Sequence, residues 1–204
     1  MTVCRILVVC TGNRYRSPIA ERLLAARLAA ASATGTVAFT VGSAGTGARP
    51  GAGLDPLTAA VVTELGGTPD GFVSRRLTTD LIAGADLVLG LARQHREAAV
   101  RLCPTALRRC FVLEEFVRLS RAAPAVPEPG APVPISMLGP LGAVRRAASA
   151  RGREAVPLCP GAEDVLDPEP QPDRLLEDCA ARIARAVDAV AAALTAEAPV
   201  AVRF

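Results

Sequence analysis

Residues 10–18 read Cys-Thr-Gly-Asn-Arg-Tyr-Arg-Ser-Pro, and their place between two predicted elements leaves few folds open to this chain. The apolar run Ile6–Cys10 before them is typical of a buried parallel strand. Good helix formers follow as far as Ala31, and we predict Ser17 as the N-cap and Pro18 as the first residue of that helix. Strand, loop and helix in this order predict the start of an open α/β sheet.

The rest of the chain repeats this alternation of strand and helix. Further strands are predicted at Val37–Val41, Asp86–Leu91 and Arg109–Leu113, with helices opening at Asp55–Pro56, Thr79–Asp80 and Arg93 and a final helix from about Asp173 to Ala196. The predicted fold class is therefore α/β, an open four-stranded parallel sheet with helices on both faces, in a single domain covering residues 1–204. Residues 121–162, rich in Pro, Gly, Ala and Arg, are predicted as an insertion that is either a surface segment or a lid.

The spacing of a cysteine six residues before an arginine occurs three times, at Cys10/Arg16, Cys103/Arg109 and Cys179/Arg185. Only the first has a strand before it, a glycine within it and a helix start after it. Backbone N–H groups of such a loop converge on an anion, and the helix N-terminus adds positive potential. We therefore predict a phosphate loop between the first strand and the first helix, in which Arg16 binds two phosphate oxygens.

The same positive potential stabilises a thiolate at Cys10, and the Ser17 hydroxyl is placed to donate a hydrogen bond to it. A thiolate that faces a bound phosphate suggests attack at phosphorus and a cysteinyl-phosphate intermediate. The leaving group then needs a proton, for which the candidates are Asp167 and its neighbour Asp164 on the loop after the fourth strand.

Composition excludes several other classes of protein. All 23 basic residues are Arg, so lysine-based chemistry and the lysine-containing loop of nucleotide hydrolases are excluded. His95 is the one histidine, which excludes a His-rich metal site, and we predict it to be a solvated helix residue. A net charge of +3 argues against a nucleic-acid partner.

Cysteine use and hydropathy indicate the compartment. The six cysteines form no C-x-x-C pair, and no apolar run reaches the length of a signal peptide or a membrane span. We predict a cytoplasmic protein with free thiols, no metal, no cofactor and no membrane insertion, and make no prediction of its oligomeric state.

Residues 10–18 resemble the signature C-x-G-N-x-x-R-S-P of the low-molecular-weight protein tyrosine phosphatases. Ser43–Thr46 is similar to the family's second conserved loop, Arg75–Thr78 and Ala85–Leu89 to its middle elements, and Asp167–Pro168 to the Asp-Pro that carries its general acid. The resemblance implies a protein-tyrosine-phosphatase-type phosphoric monoester hydrolase, with Cys10, Arg16 and Asp167 as catalytic residues. It further implies that phosphate is bound by Thr11, Gly12, Asn13, Arg14, Tyr15 and Ser17, with Ser43 supporting Asn13.

The substrate stays open between a phosphotyrosine protein and a small ester such as a sugar or nucleoside phosphate. Tyr15 stands where many family members have a second cysteine, and neither Gly47–Pro50 nor Glu169–Pro170 supplies the aromatic wall that members often have. Phe72 is the only other aromatic residue that we expect near the site.

The alternatives to a phosphatase are a thioredoxin-coupled arsenate reductase and a non-enzymatic phosphate-binding module. A thioredoxin-coupled arsenate reductase would need relay cysteines, for which Cys103 and Cys110 are candidates, but Ala92 stands where the first relay cysteine is expected. A non-enzymatic phosphate-binding module would need neither the Cys10 nucleophile nor the Asp167 acid.

Overall fold

Four parallel strands form one sheet: β1 (Thr2–Cys10), β2 (Val37–Gly45), β3 (Leu87–Gly90) and β4 (Cys110–Val112). Their order is β2-β1-β3-β4, with every pair parallel, so β1 lies inside the sheet. This computed structural model describes residues 2–31, 37–122, 139–154, 159, 161–169 and 171–196. The predicted open four-stranded parallel sheet is confirmed.

Seven α-helices surround the sheet in the described part of the chain. They are α1 (Arg16–Ala31), α2 (Pro56–Glu64), α3 (Thr79–Ala83), α4 (Arg93–Leu102), α5 (Leu113–Ala122), α6 (Gly139–Ala150) and α7 (Pro172–Thr195), and a 3₁₀ helix covers Pro104–Arg109. The sequence does not predict α5, because this helix follows β4 directly, with no turn residue to mark its start.

Both faces of the sheet are covered, as the near-continuous apolar run of β1 predicts. Cys4, Ile6 and Val8 point to a large core that they share with α1, α5, α6 and α7. Leu7 and Val9 point to a smaller core on the other face, with residues of α3 and α4. The period-two alternation of β1 therefore places the last residue of the strand, Cys10, on the side of the larger core.

Part of the predicted insertion can be described. α6 buries Ala143, Val144 and Ala147 in the large core and packs against α5 and α7. Residues 123–138, 155–158 and 160 of the predicted insertion lie outside the described residues. None of the described helices combines the length and the apolar character that crossing a membrane requires.

Candidate active site

A cavity of about 250 Å³ opens at the carboxyl end of β1, the edge at which parallel α/β sheets bind ligands. The residues that line it are Cys10, Thr11, Gly12, Arg14, Tyr15, Arg16, Gly47, Asp167 and Glu169. Seven of the ten predicted site residues are in this set, and Asn13, Ser17 and Ser43 lie behind the cavity wall, buried. The structure thus brings together residues from both ends of the sequence.

The Cys10 thiol is 2% exposed and has two polar neighbours. Its Sγ lies 2.9 Å from the Ser17 hydroxyl, and the backbone N–H of Asn13 donates to it at 3.2 Å. The prediction of Ser17 as N-cap is wrong, because α1 begins one residue earlier, at Arg16. The Ser17 side chain faces the thiol within the first helical turn, where it is available to stabilise a thiolate.

Asn13 holds the loop in shape from behind. It has a left-handed backbone (φ +51°), a conformation that Asn adopts more readily than most residues. Its Nδ2 donates to the hydroxyls of Ser17 (2.9 Å) and Ser43 (2.7 Å), and its Oδ1 accepts from the backbone N–H of Arg75 (2.8 Å). Ser43 in turn donates to Glu21 Oε2 at 2.5 Å. Every polar atom of the Asn13 side chain is therefore engaged, which preorganises the loop for an anion.

The end of β2 packs directly against the loop. Thr46 N–H donates to Cys10 O at 3.0 Å, and Gly47 N–H donates to Thr11 O at 2.9 Å. A Cβ added at Gly45 would lie 2.5 Å from Thr11 O and 2.8 Å from Asn13 N. Gly45 is therefore needed here because the two backbones approach too closely for any side chain.

Arg16 and Asp167 meet across the cavity in an ion pair. The guanidinium of Arg16 is buried, and it also donates to Val165 O at 3.0 Å and to Thr11 Oγ1 at 3.4 Å. Val165 is itself fixed to the sheet, because its N–H donates to Leu91 O at 2.8 Å. The segment that carries Asp167 is thus anchored beside the loop.

The competing carboxylate, Asp164, has a different place. Its Oδ1 accepts from the backbone N–H of Arg93, the first residue of α4, at 2.8 Å. It does not line the cavity. This contact gives Asp164 a structural role at a helix N-terminus, where an acidic side chain is favourable.

The mouth of the cavity is polar and charged. Arg14 pairs with Asp55 at 2.6 Å and with Glu169 at 3.5 Å, and its guanidinium lies 4.8 Å from the centre of the Tyr15 ring. Of the predicted non-aromatic wall positions, Gly47 and Glu169 line the cavity, and Pro170 lies outside the described residues. Tyr15 is therefore the one aromatic ring among the described lining residues.

The expectation that Phe72 lies near the site is wrong. Phe72 is buried and does not line the cavity, and the Arg22 guanidinium lies 5.6 Å from its ring centre. Cys103 and Cys110 also lie elsewhere, because both are buried in the smaller core. Burial raises the pKa of Cys110 to about 11, which keeps it a thiol. These positions do not support a cysteine relay from the site.

The prediction that His95 is a solvated helix residue is also wrong. It is 1% exposed, and its Nε2 lies 2.9 Å from Thr11 Oγ1 in the candidate phosphate loop. Its Nδ1 is buried and has no hydrogen-bond partner among the described residues. A usable signal existed, since Ala99 lies four residues later and the two form the buried face of α4. The burial of His95 is determined by tertiary packing. Its charged neighbours in the sequence do not indicate that packing.

Burial, and secondly the charge of Arg16, lower the pKa of His95 to about 4, while Asp167 and Asp164 oppose this shift. An unfolded chain therefore takes up a proton at His95 between pH 6.5 and pH 4 that the folded chain does not. This proton uptake favours the unfolded chain, so the free energy of unfolding decreases as the pH falls from 6.5 to 4. Between pH 7 and pH 5 the loss due to His95 is about 2 kcal/mol.

We expect His95→Gln to remove this loss, because an amide does not titrate. Denaturant unfolding at pH 7, 6 and 5 gives the free energy of unfolding of the wild type and of the variant. Each value is compared with that of the same protein at pH 7. Parallel pH profiles for the two proteins would show that His95 is accessible to protons in the folded state, contrary to this expectation.

Comparison with known proteins adds independent information. Residues 5–133 match the family model described as low molecular weight phosphotyrosine protein phosphatase. The probable low molecular weight protein-tyrosine-phosphatase AmsI of Erwinia amylovora is 30% identical over 118 residues, covering 58% of this chain and 76% of AmsI. The low molecular weight protein-tyrosine-phosphatase Wzb of Escherichia coli K12 is 39% identical over 101 residues, which is 50% of this chain and 61% of Wzb.

Two solved structures show the same fold. A mutant of YwlE from Bacillus subtilis superimposes with a TM-score of 0.65 at 22% identity, covering 95% of this chain and 99% of YwlE. The tyrosine phosphatase Wzb from Escherichia coli K30, in complex with sulphate, gives a TM-score of 0.61 at 22% identity, covering 92% of this chain and 95% of Wzb.

Proposed function

Since this chain belongs to the low molecular weight phosphotyrosine protein phosphatase family, a family of phosphoric monoester hydrolases, we propose that it hydrolyses phosphotyrosine through a covalent intermediate on Cys10. The proposal assigns the whole chain to one phosphatase domain with an insertion at about residues 121–162. Its catalytic residues are Cys10 as nucleophile, Arg16 as phosphate clamp and Asp167 as general acid.

The observation that carries the proposal is the convergence of these three side chains on one cavity of about 250 Å³. Binding an anion requires only the loop and Arg16. A thiol with two polar neighbours and a partly exposed carboxylate that lines the same cavity are what a displacement reaction requires in addition. Their joint presence favours an enzyme over a phosphate-binding module.

In the first step, the Cys10 thiolate attacks phosphorus in line with the leaving oxygen. The S–P bond forms, the P–O bond to the leaving group breaks, and the leaving oxygen takes a proton from Asp167. Backbone N–H groups of residues 11–16 and the planar fork of Arg16 stabilise the charge on the transferred phosphoryl oxygens. Arg16 must exchange its contact with Asp167 for the phosphate, and the carboxylate that is released takes up a proton from solvent before it acts as general acid.

In the second step, water attacks phosphorus of the cysteinyl phosphate. Asp167, now a carboxylate, takes a proton from the attacking water, the P–O bond forms, and the S–P bond breaks. Inorganic phosphate and the Cys10 thiolate are released with Asp167 protonated, and the enzyme returns to its starting state when Asp167 gives up this proton and pairs with Arg16 again. One water is consumed for each ester cleaved.

We propose a phosphotyrosine protein as the substrate, with weak discrimination against small phosphate esters. Aromatic rings at the Gly47–Pro50 and Glu169–Pro170 positions would together contribute about 1–3 kcal/mol to the binding of a phenol ring, and this chain has none there. Their absence weakens selection for phosphotyrosine by roughly 5- to 150-fold, and Tyr15 is left as one aromatic contact.

A substrate panel tests this proposal. We expect kcat/KM for a phosphotyrosine peptide to be the highest, and to exceed the values for sugar and nucleoside phosphates by less than about a thousandfold. A phosphoarginine peptide belongs in the panel, because one solved structure with this fold is the YwlE arginine phosphatase from Geobacillus stearothermophilus. No hydrolysis of any of these compounds would contradict the proposed reaction, and a highest value for another class would replace phosphotyrosine as the substrate.

A further inference from the structure

We propose that His95 is a positioning residue, which orients the Thr11 hydroxyl so that Thr11 donates a hydrogen bond to the phosphate group in the cavity. The inference rests on the proposed function, because it concerns the anion that the same loop binds. In this proposal Thr11 binds phosphate through its side chain as well as through its backbone. Buried His95 contributes to phosphate binding without contacting the substrate.

The contacts around Thr11 Oγ1 set the direction of its hydrogen. Arg16 Nη2 lies 3.4 Å away and can act only as a donor, so it uses one lone pair of the hydroxyl oxygen. His95 Nε2 lies 2.9 Å away on another side. If Nε2 also donates, both lone pairs of Oγ1 are used and its hydrogen must point to a third partner. The cavity that Thr11 lines is where such a partner binds.

The surroundings of the other ring nitrogen decide which one carries the proton. Nδ1 is buried and lacks a hydrogen-bond partner within the described part of the chain. A buried N–H without an acceptor is rarer in proteins than a buried acceptor without a donor, so we assign the proton to Nε2. The imidazole also stays neutral, because burial and the nearby Arg16 hold the pKa of His95 well below its ordinary value.

The backbone around β3 and α4 is built to bring His95 to this place. A Cβ added at Gly90 would lie 2.8 Å from the backbone nitrogen of Arg96 and 3.2 Å from the Cβ of His95. Glycine at the end of β3 therefore lets the first turn of α4 lie close to the sheet. His95 N–H donates to Ala92 O at 3.0 Å within that turn, and its ring reaches the loop between β1 and α1.

The experiment compares two substitutions of His95 with matched substitutions of Thr11. Gln offers an amide N–H in place of Nε2–H, and Leu offers similar bulk with no donor. At Thr11, Ser keeps the hydroxyl and Val removes it. For each protein, the dissociation constant of inorganic phosphate is measured by calorimetry at pH 7, and KM and kcat are measured with a phosphotyrosine peptide.

We expect Thr11→Val and His95→Leu each to weaken phosphate binding about tenfold, the loss of one hydrogen bond to a charged group. Thr11→Ser and His95→Gln should stay within about threefold of the wild type. The double variant His95→Leu/Thr11→Val should bind phosphate no worse than Thr11→Val, since both changes remove the same contact.

Two results would overturn the inference: phosphate affinity within twofold of the wild type in a folded His95→Leu protein, or additive losses in the double variant. If His95→Leu does not fold, the other two variants still test the inference. Unchanged phosphate affinity in Thr11→Val, or a tenfold loss of phosphate affinity in His95→Gln, would contradict the proposed role of His95. Calorimetry needs no turnover, so absence of hydrolysis by the wild type would contradict the proposed function while this test stays valid.

Discussion

Cys10→Ser should lower kcat by about 10⁴-fold or more while phosphate still binds. A serine hydroxyl beside Ser17 has no base to deprotonate it, so no nucleophile of comparable strength replaces the thiolate. The backbone N–H groups, Asn13 and Arg16 stay in place, because the side chain that changes is small and at the end of β1. Steady-state kinetics with a phosphotyrosine peptide measures the loss, and calorimetry with inorganic phosphate or vanadate measures the binding.

Cys159→Ser is the matched control, because Cys159 is an exposed free cysteine that does not line the cavity. It should have kcat close to that of the wild type. Turnover by Cys10→Ser at a rate comparable to the control would rule out a covalent intermediate on Cys10.

Asp167→Asn should lower kcat/KM by about 10²–10⁴-fold for esters with poor leaving groups such as alkyl phosphates. An amide cannot transfer a proton to the leaving oxygen. For activated aryl phosphates the loss should be far smaller, because these phenolates depart without protonation. The measurement is the dependence of kcat/KM on leaving-group pKa, which should steepen in the variant.

Asp164→Asn is the control for this prediction, because the two carboxylates lie on the same segment and only Asp164 caps α4. It should lower the free energy of unfolding by about 0.3–1 kcal/mol, because an amide oxygen still accepts from Arg93 N–H while the negative charge at the helix N-terminus is lost. Its dependence on leaving-group pKa should match the wild type. A steepened dependence in Asp164→Asn alone would transfer the role of acid to Asp164.

Much of the fold followed from local signals in the sequence. The apolar run at Ile6–Cys10 and the turn residues after it predicted β1 and the loop, because a strand buried on both faces leaves a continuous apolar pattern. α4 begins at Arg93, where it was predicted to begin, and α7 was predicted within one residue at each end. Boundaries that depend on tertiary contacts were predicted less well. Ser17 looks like an N-cap locally, but its hydroxyl contacts Cys10 and the helix begins before it.

The candidate site was predictable where its residues form one contiguous motif. Asp167 and Asp164 were both candidate acids on chemical grounds, and the proline after Asp167 together with the family pattern favoured Asp167. The contact between His95 and Thr11 joins residues 84 positions apart, and no periodicity in either segment indicates it. Arg93 and Arg96 surround His95 with charge, which is why the helix looks solvated there. Burial of one polar side chain among charged neighbours depends on how α4 lies against the sheet.

The anchoring of Val165 has a consequence for the order in which this protein becomes active during synthesis. The phosphate loop and the residues that support Asn13 from β2 and from Arg75 lie within residues 10–75, so they are synthesised early. The carboxylate that pairs with Arg16 lies 151 residues after it, and domains fold from the N-terminal side as they emerge. Val165 then docks on Leu91 and closes a long segment of chain, which costs entropy that the late-forming helix α7 helps to offset. The loop that binds phosphate in the proposed reaction is thus synthesised well before the proposed acid, and the cavity is completed only when Asp167 reaches Arg16.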